Sequence, residues 1–343
     1  MEDVYHSVDL KDNQFINNKT GLAMLPSLIN AEDETTFSIK RDFFLKDYVT
    51  LRDSIKAIKK YEIADQYNIV LERMSTQAEY WLKFIGMFKS VQLLQLKRNA
   101  RMFPALLTEK GISKALKFLM LNGLIIRWKY YHPINGTDIP VYTLSGNGFR
   151  FLKYFYNEKY FNPQNFFNLD ARFHLRFWEV LDVYQMLISL PVYHASSTMF
   201  KGYPSEDKAI LPSPLQVNLE LIHGQPKNLV FYPALHSDGS DYYKNAVIKW
   251  KNFVEKDDDI DLTKTINDLP SGQNVLTFYT PTLARANELN EILCLKEFRF
   301  PSLFLVGTQI SNAGLPKAFF MPDRENNGLR ALDFEDILKK EAI

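Results

Sequence analysis

The sequence predicts a mixed α+β or α/β protein of two domains, and three observations support this fold class. The chain has 343 residues, a usual length for two domains. In residues 75–160, apolar residues at helical spacing are followed by two extended runs. In residues 163–343, predicted helices alternate with predicted buried strands. The hydrophobic fraction of 46% and the charged fraction of 24% are those of a globular chain, which excludes collagen, coiled-coil rods and wholesale disorder.

Two segments precede the first domain. Residues 1–38 mix Asn, Asp, Thr and Gly, and we expect a loosely packed arm there. Residues 39–74 carry apolar residues at helical spacing, which predicts one or two amphipathic helices that cap the next domain or pair with a second copy. The acidic N-terminus lacks an apolar signal segment, and the longest uncharged stretch is too polar to span a bilayer. We therefore expect a cytoplasmic protein without membrane contact.

Residues 75–160 predict three helices in succession. The first covers Gln77 to Phe88, and Ser90 is expected to cap the second. The third begins near Gly111 and ends at Asn122-Gly123, a typical C-terminal stop. Its apolar residues recur at i, i+3, i+4 and i+7 and should face the core: Ile112, Ala115, Leu116 and Leu119. The opposite stripe is basic.

A hairpin and a closing helix follow in the same region. Two extended runs flank Asn135-Gly136, which is a strong signal for a hairpin turn. Ser145 then begins a helix that carries Phe149, Leu152 and Phe155 on one side. The predicted order is therefore three helices, a hairpin and a helix.

Charge is unevenly distributed along the chain, although the net charge is only +1. The segment from Tyr80 to Lys153 has a net charge of +10, which leaves −9 for the remainder. Such asymmetry is typical of a nucleic-acid or polyanion site confined to one module. A lysine-rich solvated surface is the alternative.

Three helices followed by a hairpin resemble the winged helix-turn-helix family, and the passage LNGLIIRW…VYTLSGNGFRFL is similar to its recognition helix, wing and closing helix. The resemblance covers the basic window. It implies that the third helix enters the major groove, while residues before it and on the wing hold phosphates. The expected DNA-binding residues are Lys97, Arg98, Arg101, Lys110, Ser113, Lys114, Lys117, Arg127 and Lys129.

Residues 163–343 predict an acidic α/β domain. Its order of helix, strands, helix, strand, helix and strand resembles the restriction-endonuclease-like core. Joined to a winged helix, this layout is similar to the replication-relaxation family of plasmids and mobile elements. The predicted elements are a helix at Asp170–Leu190, strands at Leu215–Ile222 and Leu229–Leu235, a helix around Trp250, a strand at Val275–Tyr279, a helix at Leu283–Cys294 and a strand at Ser302–Gly307.

A nuclease of that fold would need carboxylates on two adjacent strands to hold a metal ion. Ser213, Tyr232 and Ala234 stand at the expected positions instead, so we predict no catalytic residue, no metal and no nuclease activity. Glu220, Asp238 and Asp241 lie near these positions, but Asp238-Gly-Ser-Asp is more simply interpreted as a turn that leads into a helix.

Other chemistries also lack a signature. Cys294 is the single cysteine, which excludes an internal disulfide and a cysteine-based zinc module. The six histidines show no metal-binding spacing, and His174 is expected at the boundary of a helix face. The acids around Asp257–Asp261 lack the calcium-loop pattern, and no phosphate-binding glycine motif is present, so we expect no cofactor.

These observations favour a sequence-specific double-stranded DNA-binding protein of a plasmid or mobile element, acting in replication, conjugative transfer or transcriptional control. We expect a homodimer, because a single winged helix contacts one half-site. The acidic C-terminal domain would serve self-association or bind a protein partner. The alternatives are a metal-dependent nuclease and a winged-helix scaffold for protein interaction.

Overall fold

The computed structural model describes residues 16–17, 22–23, 31–35, 38–45, 48, 50–132, 137–158, 170–198, 210–221, 224–256, 259–266, 268–326 and 328–335. Within these residues the fold is mixed α+β. The chain forms two compact units: a central unit of residues 35–181, and a C-terminal unit from Asp182 onward, to which the described residues up to Glu34 also belong. The boundary lies later than the expected residue 163, because one helix continues across it.

Two short strands, β1 (Ile16–Asn17) and β2 (Leu22–Ala23), pair with each other. Most of the predicted arm, the Asn135-Gly136 turn and Asp257 lie outside the described residues. The central unit contains β3 (Ile39–Arg41), α1 (Leu51–Ala57), α2 (Gln66–Arg73), α3 (Thr76–Phe88), β4 (Ser90–Gln92), α4 (Leu93–Met102), α5 (Glu109–Leu121), β5 (Ile125–His132), β6 (Thr137–Leu144), α6 (Gly146–Tyr156) and the first turns of α7 (Ala171–Leu187).

Local sequence explains where several of these helices begin. Ser75, Thr108 and Ser145 each accept a hydrogen bond from the backbone N–H three residues further on. Each side chain thereby satisfies an amide that the first helical turn leaves without a partner. The third helix and the closing helix predicted from sequence are confirmed as α5 and α6.

One prediction for the central unit is wrong. Ser90 begins strand β4 instead of capping a helix, because its backbone pairs with Thr143 of β6. Helix α4 starts three residues later, where Gln92 and Gln95 form a capping box. Helices α1 and α2 lie within residues 39–74, where one or two amphipathic helices are expected, and the segment Ile39–Arg41 before them pairs with β5 as a strand.

The sheet of the central unit is antiparallel, with strand order β3-β5-β6-β4. The first turns of α7 pack on one of its faces. Trp178 of α7 donates from Nε1 to Ser90 Oγ at 3.0 Å, and its ring lies 5.0 Å from that of Tyr130. The start of α7 is therefore part of this unit's core.

The C-terminal unit is built on a seven-stranded sheet. Its order is β15-β14-β13-β12-β9-β8-β7, in which β9, β12 and β13 are parallel and the other pairings are antiparallel. Its further elements are β7 (Tyr193–Ser197), β8 (Leu215–Leu219), β9 (Lys227–Pro233), α8 (Ser240–Val254), β10 (Glu255–Lys256), β11 (Asp259–Ile260), β12 (Gln273–Thr280), α9 (Leu283–Leu293), β13 (Ser302–Val306), α10 (Gly307–Ala313), β14 (Phe319–Pro322) and β15 (Leu329–Leu332).

Aromatic side chains dominate the core of this unit. Tyr232, Phe278 and Phe304 from neighbouring strands pack with Tyr243 and Trp250 of α8, and all five are fully buried. The buried strands and helices predicted from Leu215 to Gly307 are confirmed, while β7, β14 and β15 extend the sheet beyond them. The abundance of aromatic residues is thus explained here by packing.

Candidate nucleic-acid interface

Helix α5 has an apolar face and, opposite it, a basic face. Ile112, Ala115, Leu116, Leu119 and Met120 are buried. The four residues of the opposite stripe are all exposed, as their spacing predicts: Lys110, Ser113, Lys114 and Lys117. Seven residues separate the first from the last, so the stripe is about 10 Å long. It presents three ammonium groups and a hydroxyl to solvent along two helical turns.

Both ends of α5 are fixed by specific contacts. Thr108 Oγ1 accepts from Gly111 N–H at 3.1 Å and lies 3.4 Å from Gln77 Nε2 of α3. A Cβ atom at Gly111 would lie only 1.7 Å from Gln77 Oε1, so glycine permits close packing of α3 on α5. At the other end, Gly123 has φ of +60°, which terminates the helix before β5. The basic stripe is therefore carried by a well-anchored helix.

The basic residues of α4 have different environments. Arg98 is only 4% exposed, so its side chain does not present a guanidinium to the surface as the phosphate-contact prediction requires. Lys97 is half-buried. Arg101 is exposed and its Nε lies 2.6 Å from Glu109 Oε1. Exposed ion pairs of this kind contribute little stability, so Arg101 can exchange this partner for a phosphate at small cost.

Arg127 of β5 has a structural role. Its guanidinium lies 2.8 Å from Asp42 Oδ2 and donates to the carbonyl oxygen of Phe44. Only 17% of the Arg127 side chain is exposed. It fastens the segment after β3 to the hairpin, which differs from the phosphate contact expected from the sequence.

Strand β3, which pairs with the hairpin, offers a lysine that sequence reasoning missed, Lys40. Lys129 of β5 is exposed and lies directly opposite Lys40 of β3, which is also exposed. Directly opposite residues of an antiparallel pair share a face, and like charges there repel each other. Lys40 was missed because strand β3 is only three residues long and pairs with residues far along the chain.

Burial removes some of the positive charge of this region from its surface. Lys89 is 8% exposed and its Nζ lies 4.7 Å from the centre of the Phe177 ring. Burial, with a smaller contribution from nearby Arg176, lowers the pKa of Lys89 to about 7. With Arg98 and Arg127 also largely buried, the exposed cations of the basic window are those of α5, Lys129 of β5, Arg101 of α4, and Arg150 and Lys153 of α6.

The positions where a nuclease would be expected to hold its metal, in β9 and next to β8 and β9, are filled by buried side chains. Ser213 Oγ lies within hydrogen-bond distance of the carbonyl oxygens of Leu215 and Phe231, at 2.8 and 2.7 Å. The Tyr232 hydroxyl donates to the Leu211 carbonyl at 2.7 Å. Ala234 is fully buried. These groups close the site with internal hydrogen bonds and apolar packing.

The three acids near these positions have separate environments and do not form a common site. Glu220 is exposed and lies 3.1 Å from His194 Nδ1. Asp238 accepts from the Leu235 N–H at 2.9 Å, and Asp241 is exposed in the first turn of α8. The described parts of the chain contain no group of three His, Cys, Asp or Glu residues placed to hold a metal ion.

His174 is more deeply placed than the sequence suggests. It is fully buried, and its Nδ1 lies 2.7 Å from Ser90 Oγ. Burial lowers the pKa of His174 to about 3, although nearby Asp170 acts in the opposite direction. The imidazole is therefore neutral and belongs to the packing between α7 and the central sheet.

The chain matches no protein-family model, and neither curated proteins nor solved structures show a significant similarity to it. Over the residues that the structure describes, no helix is long and apolar enough to cross a membrane. The geometry of the two units is therefore the basis for assigning a function.

Proposed function

We propose that this protein binds double-stranded DNA in a sequence-specific manner through its central unit. The exposed stripe of Lys110, Ser113, Lys114 and Lys117 on α5 carries the proposal. An anchored helix with cations and a hydroxyl on its solvent face has the chemistry that reads a major groove, where lysine contacts phosphates or guanine and serine contacts either kind of group.

The connectivity around α5 supports a winged helix-turn-helix arrangement. Helices α3, α4 and α5 are followed by the hairpin β5–β6, and β4 between the first two helices pairs with β6. In such an arrangement α5 is the recognition helix and the hairpin is the wing. Lys129 and Lys40 on the hairpin edge would then hold phosphates beside the groove.

The C-terminal unit supports a role other than phosphodiester cleavage. The order α7-β7-β8-β9-α8-β12-α9-β13 supports the resemblance to a restriction-endonuclease-like core. The positions expected for metal ligands, in β9 and next to β8 and β9, hold Ser213, Tyr232 and Ala234 in buried contacts. We infer a degenerate nuclease fold that mediates self-association or binds a protein partner.

The biological setting follows from the resemblance as a further proposal. A cytoplasmic, plasmid-borne or mobile-element protein of this layout would act in replication, transfer or transcriptional control. A homodimer would place two α5 helices on two half-sites one helical turn of DNA apart. Light scattering of the protein with and without a bound fragment measures that stoichiometry; a monomer in both would contradict it.

The test of DNA binding is a charge reversal on α5. Fragments selected from host plasmid DNA should bind wild-type protein, and Lys114→Glu with Lys117→Glu should weaken binding at least about 100-fold, because two phosphate attractions become repulsions. Stability should change by less than about 0.5 kcal/mol, since both side chains are exposed.

The matched control reverses two lysines of α8, Lys244→Glu with Lys249→Glu, in the C-terminal unit. This variant has the same change in net charge and should keep wild-type affinity. If the two double variants lose affinity equally, general charge accounts for binding. If the α5 variant binds as well as wild type, α5 is not the recognition helix.

A further inference from the structure

Glu34 places a buried carboxylate on a turn of the C-terminal unit. Its side chain is fully buried. Oε1 accepts from the His236 N–H at 2.6 Å, and Oε2 accepts from the Ser237 N–H at 3.0 Å and from the Ser237 hydroxyl. Successive backbone N–H groups that converge on one anion form a nest, a recurring binding site for phosphate and carboxylate groups.

The turn is held in this shape by contacts that do not involve Glu34. Asp238 Oδ2 accepts from the Leu235 N–H at 2.9 Å and from the Tyr243 hydroxyl at 2.6 Å. Arg285 Nη2 donates to the Asp238 carbonyl at 2.8 Å. The donors of the nest are thus preorganised by the fold of the C-terminal unit itself.

The position of the turn is one that favours ligand binding. It follows the carboxyl end of β9, and Thr282 follows the carboxyl end of the parallel neighbour β12. His236 Nε2 lies 3.4 Å from Thr282 Oγ1. Ligands of α/β sheets bind at this edge, outside the carboxyl ends of the strands.

A buried cation provides a second, independent indication of an anion site. Arg285 is only 4% exposed, and no described residue accepts a hydrogen bond from its Nε. Its other contacts are the Asp238 carbonyl and Glu288, whose Oε2 lies 2.9 Å away. A guanidinium held beside the nest adds positive potential where an anion would sit.

We propose that the Leu235–Asp238 turn is a phosphate-binding site that Glu34 occupies as an internal ligand. The groups that donate hydrogen bonds to Glu34 are two backbone amides and a hydroxyl, and such donors bind a phosphate as well as a carboxylate. This site is separate from α5, and the proposal does not depend on DNA binding by the central unit.

Occupation by Glu34 makes the site competitive. A phosphate must displace the carboxylate, so apparent affinity falls by the fraction of molecules in which Glu34 is bound. The residue after Glu34 is Thr35, the first residue of the central unit. Displacement would therefore free the Glu34 side chain one residue before that unit begins.

The experiment measures inorganic phosphate binding by calorimetry at constant ionic strength, with full-length protein. Glu34→Gln keeps the side-chain volume but removes the charge, and Glu34→Ala removes the occupant. Affinity for phosphate should rise from wild type to Glu34→Gln to Glu34→Ala, with a total gain of at least about tenfold. Adding Ser237→Ala to either variant should abolish the gain.

Asp33→Ala is the matched control, because it removes one negative charge from the same segment and leaves Glu34 in place. It should bind phosphate as weakly as wild type. An equal gain in Asp33→Ala, no gain in either Glu34 variant, or a gain that survives Ser237→Ala would overturn the proposal. If Glu34→Ala fails to fold, the comparison of Glu34→Gln with wild type decides.

A second arm identifies the source of the phosphate group. A short single-stranded oligonucleotide without terminal phosphates is titrated into Glu34→Gln in competition with inorganic phosphate. Competition assigns the site to phosphodiesters of a nucleic acid. Binding of inorganic phosphate without such competition assigns it to free phosphate or a phosphate monoester. Both results support the site. If neither inorganic phosphate nor the oligonucleotide binds, the proposal is contradicted.

Discussion

Polar residues are exposed on α5 but buried at the ends of strands β8, β9 and β12. On α5, Lys110, Lys114 and Lys117 are exposed along one stripe. In the C-terminal unit, Asn218 donates to Asn228 at 2.7 Å and Asn228 donates to Asn274 at 3.1 Å, so three buried amides satisfy one another across three strands. Buried polar groups require partners, and here they have them.

The difference separates polar residues that serve the fold from those available to a ligand. The asparagine ladder contributes stability and leaves little hydrogen-bonding capacity for a bound molecule. The lysine stripe contributes little to stability and remains accessible. Glu34 and Ser237 make a buried contact between segments more than 200 residues apart in sequence, and this contact becomes available to a ligand only where the ligand replaces Glu34.

The largest effect on stability is expected from Asn228→Ala. The substitution removes the central member of the ladder and leaves the amides of Asn218 and Asn274 without that partner. We expect a loss of about 3 kcal/mol in the free energy of unfolding, measured with urea. The exposed Asn245→Ala on α8 should change it by less than about 0.5 kcal/mol. Similar values for both would show that the ladder is not structural.

The buried His174 predicts an acid-sensitive stability. Its pKa is lowered to about 3 by burial, so between the unfolded value near 6.5 and pH 3 the unfolded chain binds one more proton than the native state. Stability contributed by the neutral imidazole is complete above the upper pH and is lost as pH falls, by about 1.4 kcal/mol per unit.

The unfolding free energies of wild type and His174→Gln between pH 6 and pH 4 measure this contribution. Unfolding of the variant should take up about one proton fewer than unfolding of wild type. The exposed Asn245→Ala on α8, which removes no titratable group, should retain the wild-type slope. Equal slopes for wild type and His174→Gln would contradict a neutral, buried imidazole.

A smaller effect is expected at the hairpin edge. Lys40→Glu should weaken DNA binding about tenfold with little change in stability, because one phosphate contact is replaced by repulsion.

Arg127→Ala should instead lower stability, since it releases Asp42 and the Phe44 carbonyl. Anisotropy titrations and urea unfolding on both variants, with Lys244→Glu as the charge control, measure the two effects. Unchanged affinity in Lys40→Glu would limit the interface to α5.

Local signals allowed the sequence to predict α5 and its two faces. Thr108, Gly111 and Asn122-Gly123 act within a few residues, and the i, i+3, i+4, i+7 rule assigns the buried side. The short strands β3 and β4 were not predicted, because each has three residues and forms only by pairing with distant segments.

The roles of individual arginines were equally inaccessible. Arg98 and Arg127 lie in the basic window but are largely buried, and a charged residue is buried only where the fold supplies surroundings for it. Glu34 meets Ser237 through a contact that sequence spacing cannot indicate. The basic helix was therefore predictable, whereas the surface around it depended on tertiary structure.

The salt dependence of DNA affinity tests the central claim most directly. Each phosphate neutralised by a lysine or arginine contributes about −0.9 to the slope of log affinity against log salt, so wild type should give a slope of roughly −4 to −8. Lys114→Gln with Lys117→Gln should reduce its magnitude by about 2, while Lys244→Gln with Lys249→Gln should leave it unchanged. A flat response in wild type, or equal slopes for all three proteins, would contradict DNA binding through α5.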